Sequence, residues 1–488
     1  LVQAFVAAFR KPIIKSLGFA VTFIELLSLK KRWNWVTRVT RATPYALTVI
    51  GIIIFITGAC TSWHNKMATF KLFGGKNIGE VEHELTNKGH AELYIPINRL
   101  AFSIYANKLA AKQITQLIHA AKDVRVDSCS YRSSNIVLII GESYGRHHSQ
   151  QYGYFMKTTP RQAALEKSRK LTKFTDVVTC WNLTSFVFKN VFSTHVVGEK
   201  GDWCDYPLFP ELFRKAGYQV TFITNEFLPQ AKEAVYDFSG GFFLNNPELS
   251  KLQFDNRNTD LHPLDDGLLD DYDNHLKQKQ GEHNLIIFHL MGQHVDYKSR
   301  YRKEQTEFWA GNYEDKRPEL NAKQRKMLSH YDNATLYNDS IVAQIVKRFE
   351  KEDAIIIYMP DHGEECYEEN RGFICRNHSA AIDWPLAHYE FEIPFWIYCS
   401  RKYIRKHRDI YKQIRKAKDL RYMTDALPHL LLYLAGIETP TYQAKYNILS
   451  PEYDEMRPRI LKNSADYDKL RDEHIAKEKK ANEKKKGK

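Results

Sequence analysis

Five short apolar runs rich in β-branched residues do most to constrain the fold: NIVLII from Asn135, QVTFIT from Gln219, NLIIFHL from Asn284, AIIIYM from Ala354 and FEIPFWIY from Phe391. Runs of this length, separated by helix-prone stretches, read as buried strands of an α/β domain with a mostly parallel sheet flanked by helices. Gly141-Glu142-Ser143 follows the first run, Asn225 the second, Gln293-His294 the third and Asp361-His362 the fourth. Polar groups thus gather where strands end, and open α/β sheets place their sites at strand carboxyl ends.

At 488 residues the chain exceeds what one hydrophobic core usually supports, so a smaller region should accompany the α/β domain. The stretch PYALTVIGIIIFITGAC from Pro44 carries no charge and, with its neighbours, nears the roughly 20 apolar residues that span a bilayer. Lys30, Lys31, Arg32, Arg38 and Arg41 crowd its N-terminal side, as the positive-inside rule predicts. A transmembrane helix over about residues 43–61 is therefore expected, with the following chain outside the cytoplasm. An earlier apolar stretch, residues 13–29, contains Lys15 and Glu25 and is either a poorer span or an interfacial helix. The chain begins at Leu1 without a signal-peptide pattern, which suggests the tail of a longer membrane region. The expected parts are a membrane-anchoring helical region, 1–62; a linker with interfacial helices, 63–131; the α/β domain, 132–465; and a basic tail, 466–488.

Hydrophobic residues make up 43% and charged residues 26%, which argues against a disordered chain and against a polytopic carrier. The formal charge of +13 suggests an anionic partner. Membrane lipid meets that need; with no zinc-finger spacing, aromatic ribonucleoprotein motif or DNA-reading helix, nucleic acid is not expected. The seven cysteines are an odd number, so at least one is unpaired within the chain, with Cys60 in the apolar stretch the obvious candidate. Cys366 and Cys375 flank a short loop, and an oxidising compartment would permit a disulfide there.

The sharpest chemical signal is Pro360-Asp361-His362-Gly363-Glu364 directly after AIIIYM. A carboxylate and an imidazole at a strand end are good ligands for a borderline metal such as zinc, although such a triplet is also an ordinary turn. Glu142 adds a second carboxylate at the same sheet edge. Two carboxylates and one imidazole leave a position open, as catalytic zinc requires. The segment Thr179-Cys180-Trp181-Asn182-Leu183-Thr184-Ser185-Phe186 offers hydroxyls at the start of a helix, where amide groups favour a phosphate. A plain N-cap is the competing account of such a threonine.

Together these segments resemble the phosphoethanolamine transferases that modify lipid A and lipopolysaccharide, within the alkaline-phosphatase and sulfatase superfamily. The string NIVLIIGESYGRHHSQQYGYFMKTTPR carries most of the resemblance, through its GES, YGY and TTP elements; the likeness covers roughly residues 135–434. The spacing of Cys180, Thr184 and Ser193 is similar to that around the family's nucleophile, which selects Thr184 over Thr179 and Ser185. Asn190 stands where relatives have a second cysteine. The resemblance implies an alkaline-phosphatase-like fold and metal ligands Glu142, Thr184, Asp361 and His362. It implies one zinc site with room for a second, and active-site histidines His294 and His378; His147, His148 and His195 lie near the motifs as candidate substrate contacts.

The implied reaction moves phosphoethanolamine from phosphatidylethanolamine to lipid A or another lipopolysaccharide or glycan acceptor through a covalent intermediate on Thr184. The implied location is the bacterial inner membrane, with the catalytic domain in the periplasm. A sulfatase would need Cys or Ser inside C/S-x-P-x-R, which Cys180-Trp181-Asn182-Leu183-Thr184 does not match. A phosphoglycerol transferase of the lipoteichoic-acid type would also use a threonine and a metal, but the GES, YGY and TTP combination resembles it less. A non-catalytic, membrane-anchored lipid-binding protein would have no need of a threonine beside three metal ligands.

Overall fold

The computed structural model describes residues 42–61, 63–74, 95–229, 242–377 and 381–486. Seven strands form the main sheet: β1 Asn135–Gly141, β2 Leu171–Phe174, β3 Gln219–Thr224, β4 Asn256–Arg257, β5 Asn284–His289, β6 Ala354–Pro360 and β7 Phe395–Cys399. Their order is β2-β7-β6-β1-β5-β3-β4. All pairings are parallel except those of β7, which runs antiparallel to both neighbours. Each of the five apolar runs contains a strand, the fifth only from Phe395 because Phe391 ends a helix, and the two strands not among them, β2 and β4, are the short edges.

β1 lies between β5 and β6, with Ile140 opposite His289 on one side and Met359 on the other. Ile136 to Ile140 are at most 1% exposed, because helices cover both faces of a parallel sheet and leave no wet side. Successive side chains point to opposite faces. Val137, Ile139, Ile286, Phe288, Ile356 and Tyr358 share one core cluster with Ile341, Val342, Ile345 and Phe349.

The helices include α1 Ala42–Thr61, α2 Trp63–Leu72, α3 Ile95–Lys122, α4 Thr184–Phe192, α5 Ala322–Phe349, α6 Trp384–Phe391 and α7 Tyr467–Lys486. The four core residues at the end of that cluster belong to α5. Asn321 starts α5 in a reciprocal capping box with Gln324, which satisfies two otherwise unpaired amides.

The chain divides into two compact units, residues 1–106 and 107–488. In the first, α1 occupies the stretch expected to be a transmembrane helix over about residues 43–61, and Val49, Ile50, Ile52, Ile53, Ile54, Phe55 and Ile56 are exposed. Among the described residues no helix is long and apolar enough to cross a membrane. Residues 1–41, with the basic cluster and the earlier apolar stretch, lie outside the described ones.

In the second unit, the basic C-terminal segment is helical, and its first turns are tied down. Asp468 pairs with Arg421, Arg459 and Arg471, while Arg471 also reaches Asp176 at 3.1 Å. His474 stacks on Trp384 of α6. The segment is thus a docked helix with a solvated end.

Candidate metal centre

Three neighbouring strands deliver the candidate residues to one edge. Glu142 follows β1, Asp361 and His362 follow β6, and His294 lies on the loop after β5. Gly292 adopts φ +48, and a Cβ there would stand 3.0 Å from the Glu142 backbone. Only glycine accommodates that approach without strain. On the other side, a Cβ on Gly363 would meet the Tyr389 carbonyl at 2.4 Å. Ser143 holds a left-handed φ of 53 without being glycine. Its amide donates to Asp361 Oδ1 at 3.1 Å, its hydroxyl donates to Glu142 Oε1 at 2.8 Å, and its carbonyl accepts from Tyr331 at 2.8 Å. Strain of this kind persists where surrounding contacts over-determine it.

Glu142, Asp361 and His362 are fully buried, with ligating atoms all within 4.8 Å of one another. His362 Nε2 lies 3.1 Å from Asp361 Oδ2 and 3.4 Å from Glu142 Oε1. Thr184 begins α4 behind an extended Leu183. Its hydroxyl donates to Glu142 Oε2 at 3.0 Å and lies 3.4 Å from His362 Nε2. Thr184 is therefore the first residue of the helix and not its N-cap, and its hydroxyl turns to the cluster.

The electrostatics favour a cation here. Burial works against the charge on Glu142, but His362 holds its carboxyl well below the usual range. Burial and then the Glu142 charge push Asp361 up to about 6. Burial likewise opposes charge on His362, yet Asp361 foremost among its partners raises it to about 10. Two buried carboxylates thus draw positive charge to His362 Nε2.

The donor set fits zinc, and hydrogen bonding to the other ring nitrogen supports the fit. His362 Nδ1 lies 2.8 Å from the Gly363 carbonyl, so it keeps its hydrogen in either charge state, and Nε2 is the nitrogen on which a metal ion would replace the proton. Asp361 Oδ2 accepts no hydrogen bond among the described residues. The other three clusters with candidate ligand atoms lack this arrangement. His148 is bonded to carboxylates through both nitrogens, Glu368 at 2.7 Å and Asp332 at 3.4 Å. His147 Nε2 and His388 Nδ1 both face the Glu392 carboxylate, at 3.2 and 2.7 Å. For His289, the Thr224 hydroxyl already accepts from the amides of Glu226 and Phe227 and so donates its hydrogen to Nδ1 at 2.9 Å. An N–H and not a lone pair therefore stands on His289 Nε2.

Several expectations change. His147 and His148 serve Glu392, Asp332 and Glu368, while His195 Nε2 lies 3.3 Å from the Glu199 carbonyl and its Nδ1 is buried without a hydrogen bond among the described residues. His294 Nδ1 is buried without a hydrogen bond among the described residues, and burial lowers its pKa, which suits a neutral imidazole close to Glu142. His378 lies outside the described residues. Cys366 and Cys375 are free thiols. Cys366 pairs with Ile374, and Cys375 with Glu365, so the one-residue offset turns the two sulfurs to opposite faces of the ribbon.

Sequence reasoning missed Arg376, whose Nη1 lies 2.7 Å from His362 Nε2 and 3.3 Å from Glu142 Oε1. Its position one residue after Cys375 and two before His378 was the signal that could have found it.

A mostly parallel sheet carrying a carboxylate–carboxylate–imidazole cluster and a helix-start threonine at its central carboxyl edge defines a sulfatase-type α/β protein. A family model described as sulfatase matches residues 134–437, and the chain belongs to that family. Within it, the chain is similar to phosphoethanolamine transferase EptC of Escherichia coli (strain K12), at 30% identity over 333 residues that cover 67% of this chain and 55% of that protein. It is 25% identical to phosphoethanolamine transferase EptA of Helicobacter pylori over 396 residues, 77% of this chain and 65% of that one. The chain thus spans about half the length of the EptC relative. The crystal structure of the C-terminal periplasmic domain of Escherichia coli EptC, a complex with Zn, superposes with a TM-score of 0.60 at 28% identity, covering 71% of this chain and 96% of that one.

Proposed function

We propose that this chain transfers phosphoethanolamine from phosphatidylethanolamine to lipid A or another lipopolysaccharide or glycan acceptor, with Thr184 as nucleophile. The observation that carries the reading is the Thr184 hydroxyl 3.0 Å from Glu142, within a zinc-suited cluster and on a chain similar to EptC. Glu142, Asp361 and His362, with Thr184, would hold the ion. Bound zinc supplies a Lewis acid, which lowers the pKa of a hydroxyl and polarises a phosphoryl oxygen.

Thr184 Oγ1 forms a bond to phosphorus, the bond from phosphorus to the glycerol oxygen breaks, and diacylglycerol leaves with the proton that Thr184 gave up. The hydrogen bond to Glu142 aims the hydroxyl for this attack. In the second half, an acceptor oxygen takes the phosphoethanolamine group, and its proton returns to Thr184. His294, kept neutral by burial, is suited to take that proton from the acceptor oxygen and pass it on to Thr184, and His378 is assigned to the same site on the family resemblance.

The exposed apolar residues of α1 and the basic residues before it support an inner-membrane anchor with this domain in the periplasm. The test is mass spectrometry of the zinc-loaded protein after incubation with phosphatidylethanolamine. A phosphoethanolamine adduct on the Thr184 peptide is expected. No adduct on any peptide and no diacylglycerol released, with zinc bound, would overturn the reading in favour of another phospholipid donor or a lipid-binding role.

A further inference from the structure

Arg376 stands beside the candidate metal ligands without being one of them. Its side chain is 10% exposed, and burying a guanidinium is costly unless partners hold it. Nη1 stands 3.5 Å from Thr184 Oγ1, besides its contacts with Glu142 and His362. On its other side, Nε faces Glu364 Oε2 at 3.9 Å, and Glu364 accepts a short hydrogen bond from Tyr297. The guanidinium is thus held from behind and directed at the nucleophile. Nε has no hydrogen-bond acceptor among the described residues; it faces the Glu364 charge, and Nη1 is the donor turned to Thr184 Oγ1.

We propose that Arg376 is a catalytic residue that binds the phosphoryl oxygens of the group Thr184 receives; this rests on the reading of Thr184 as the nucleophile. Arginine presents planar paired donors that match phosphoryl oxygens, and it stays charged at any working pH. A metal cation held by Glu142, Asp361 and His362 would repel the guanidinium, and an anion touching both relieves that repulsion. Phosphoryl transfer draws on this kind of fixed positive charge, aimed where oxygens accumulate negative charge.

The test titrates inorganic phosphate into the zinc-loaded full chain by calorimetry, for the parent protein, R376M and R376K, with zinc content and thermal midpoint measured alongside. R376M keeps much of the length and removes the charge. The expected result is phosphate binding weakened about 10- to 100-fold in R376M, the loss of a charge-assisted hydrogen bond, with zinc content unchanged and part of the affinity restored in R376K. Unchanged phosphate affinity in R376M, or no phosphate binding by the parent, overturns the proposal. So does loss of zinc from R376M, which would make Arg376 a counter-charge for the ligands. If R376M does not fold, R376K decides: weaker phosphate binding with full zinc supports the role, and unaltered binding refutes the need for the fork. Phosphate needs no lipid donor, so Arg376-dependent phosphate binding without a Thr184 adduct from phosphatidylethanolamine would remove that donor and leave Arg376 as a phosphoryl-binding group, whereas an adduct with Arg376-independent phosphate binding would remove this inference alone.

Discussion

The cluster at the sheet edge and the cluster around His148 are made from nearly the same parts. Each sets one fully buried histidine between two carboxylates, Glu142 and Asp361 in the first, Asp332 and Glu368 in the second. They differ in what the second ring nitrogen touches. His362 gives its Nδ1 hydrogen to a backbone carbonyl and turns Nε2 to the cluster. His148 spends both nitrogens on carboxylates, and Asp332 also accepts from Tyr154 and Tyr313. Burial opposes charge on His148, but those two hydrogen bonds raise it to about 9. The second cluster is therefore a closed ion triad and the first an open one. Residue composition does not distinguish a cluster suited to a metal from a structural salt bridge; the partner of the second ring nitrogen does.

The sharpest way to break the comparison is at Thr184, the proposed nucleophile. Thr184→Ala should lower transfer on the order of 10⁴-fold or more while zinc stays bound through Glu142, Asp361 and His362; unfolding with metal loss would make Thr184 structural. Next, His362→Ala should weaken zinc binding by more than the roughly 10- to 100-fold typical of losing an outer partner, read as metal per chain after dialysis. Zinc retained at parent affinity would place the metal elsewhere.

His148→Gln should do the reverse. It should cost about 3 kcal/mol of stability in denaturant unfolding, as breaking a buried ion pair does, and leave zinc content alone. Because His148 titrates higher in the folded state than its ordinary 6.5, its contribution is complete below about pH 6.5 and fades as pH rises through about 9. The parent should lose stability across that window, and the variant should show a flatter profile there. The smallest effect is expected from Cys375→Ser, within about 0.5 kcal/mol, with Cys366, buried in the fold, and Cys375 both alkylated without reductant once the parent is unfolded in denaturant. A reductant-dependent thiol would contradict the opposite-face geometry.

The strands were legible because a buried parallel strand has to be apolar on both faces, which NIVLII and AIIIYM show without any structure. Glu142, Asp361 and His362 were legible because they follow such strands directly. The short edges β2 and β4 were not, since four or two residues leave no periodic pattern. Arg376 was not, since nothing in a cationic residue beside a cysteine tells which way its side chain turns. His147 and His148 looked like site residues by proximity in sequence, and the fold directs them to Glu392 and to Asp332 with Glu368.

By itself, then, the sequence determined the sheet, its carboxyl edge and the residue types brought to that edge, because burial and chain direction are local properties of each run. Only the tertiary structure decided which histidine ties Nδ1 to a carbonyl and turns Nε2 to two carboxylates, which threonine faces those carboxylates and which arginine enters the cluster. Those outcomes depend on hydrogen-bond partners that lie from one residue to more than 200 residues away along the chain.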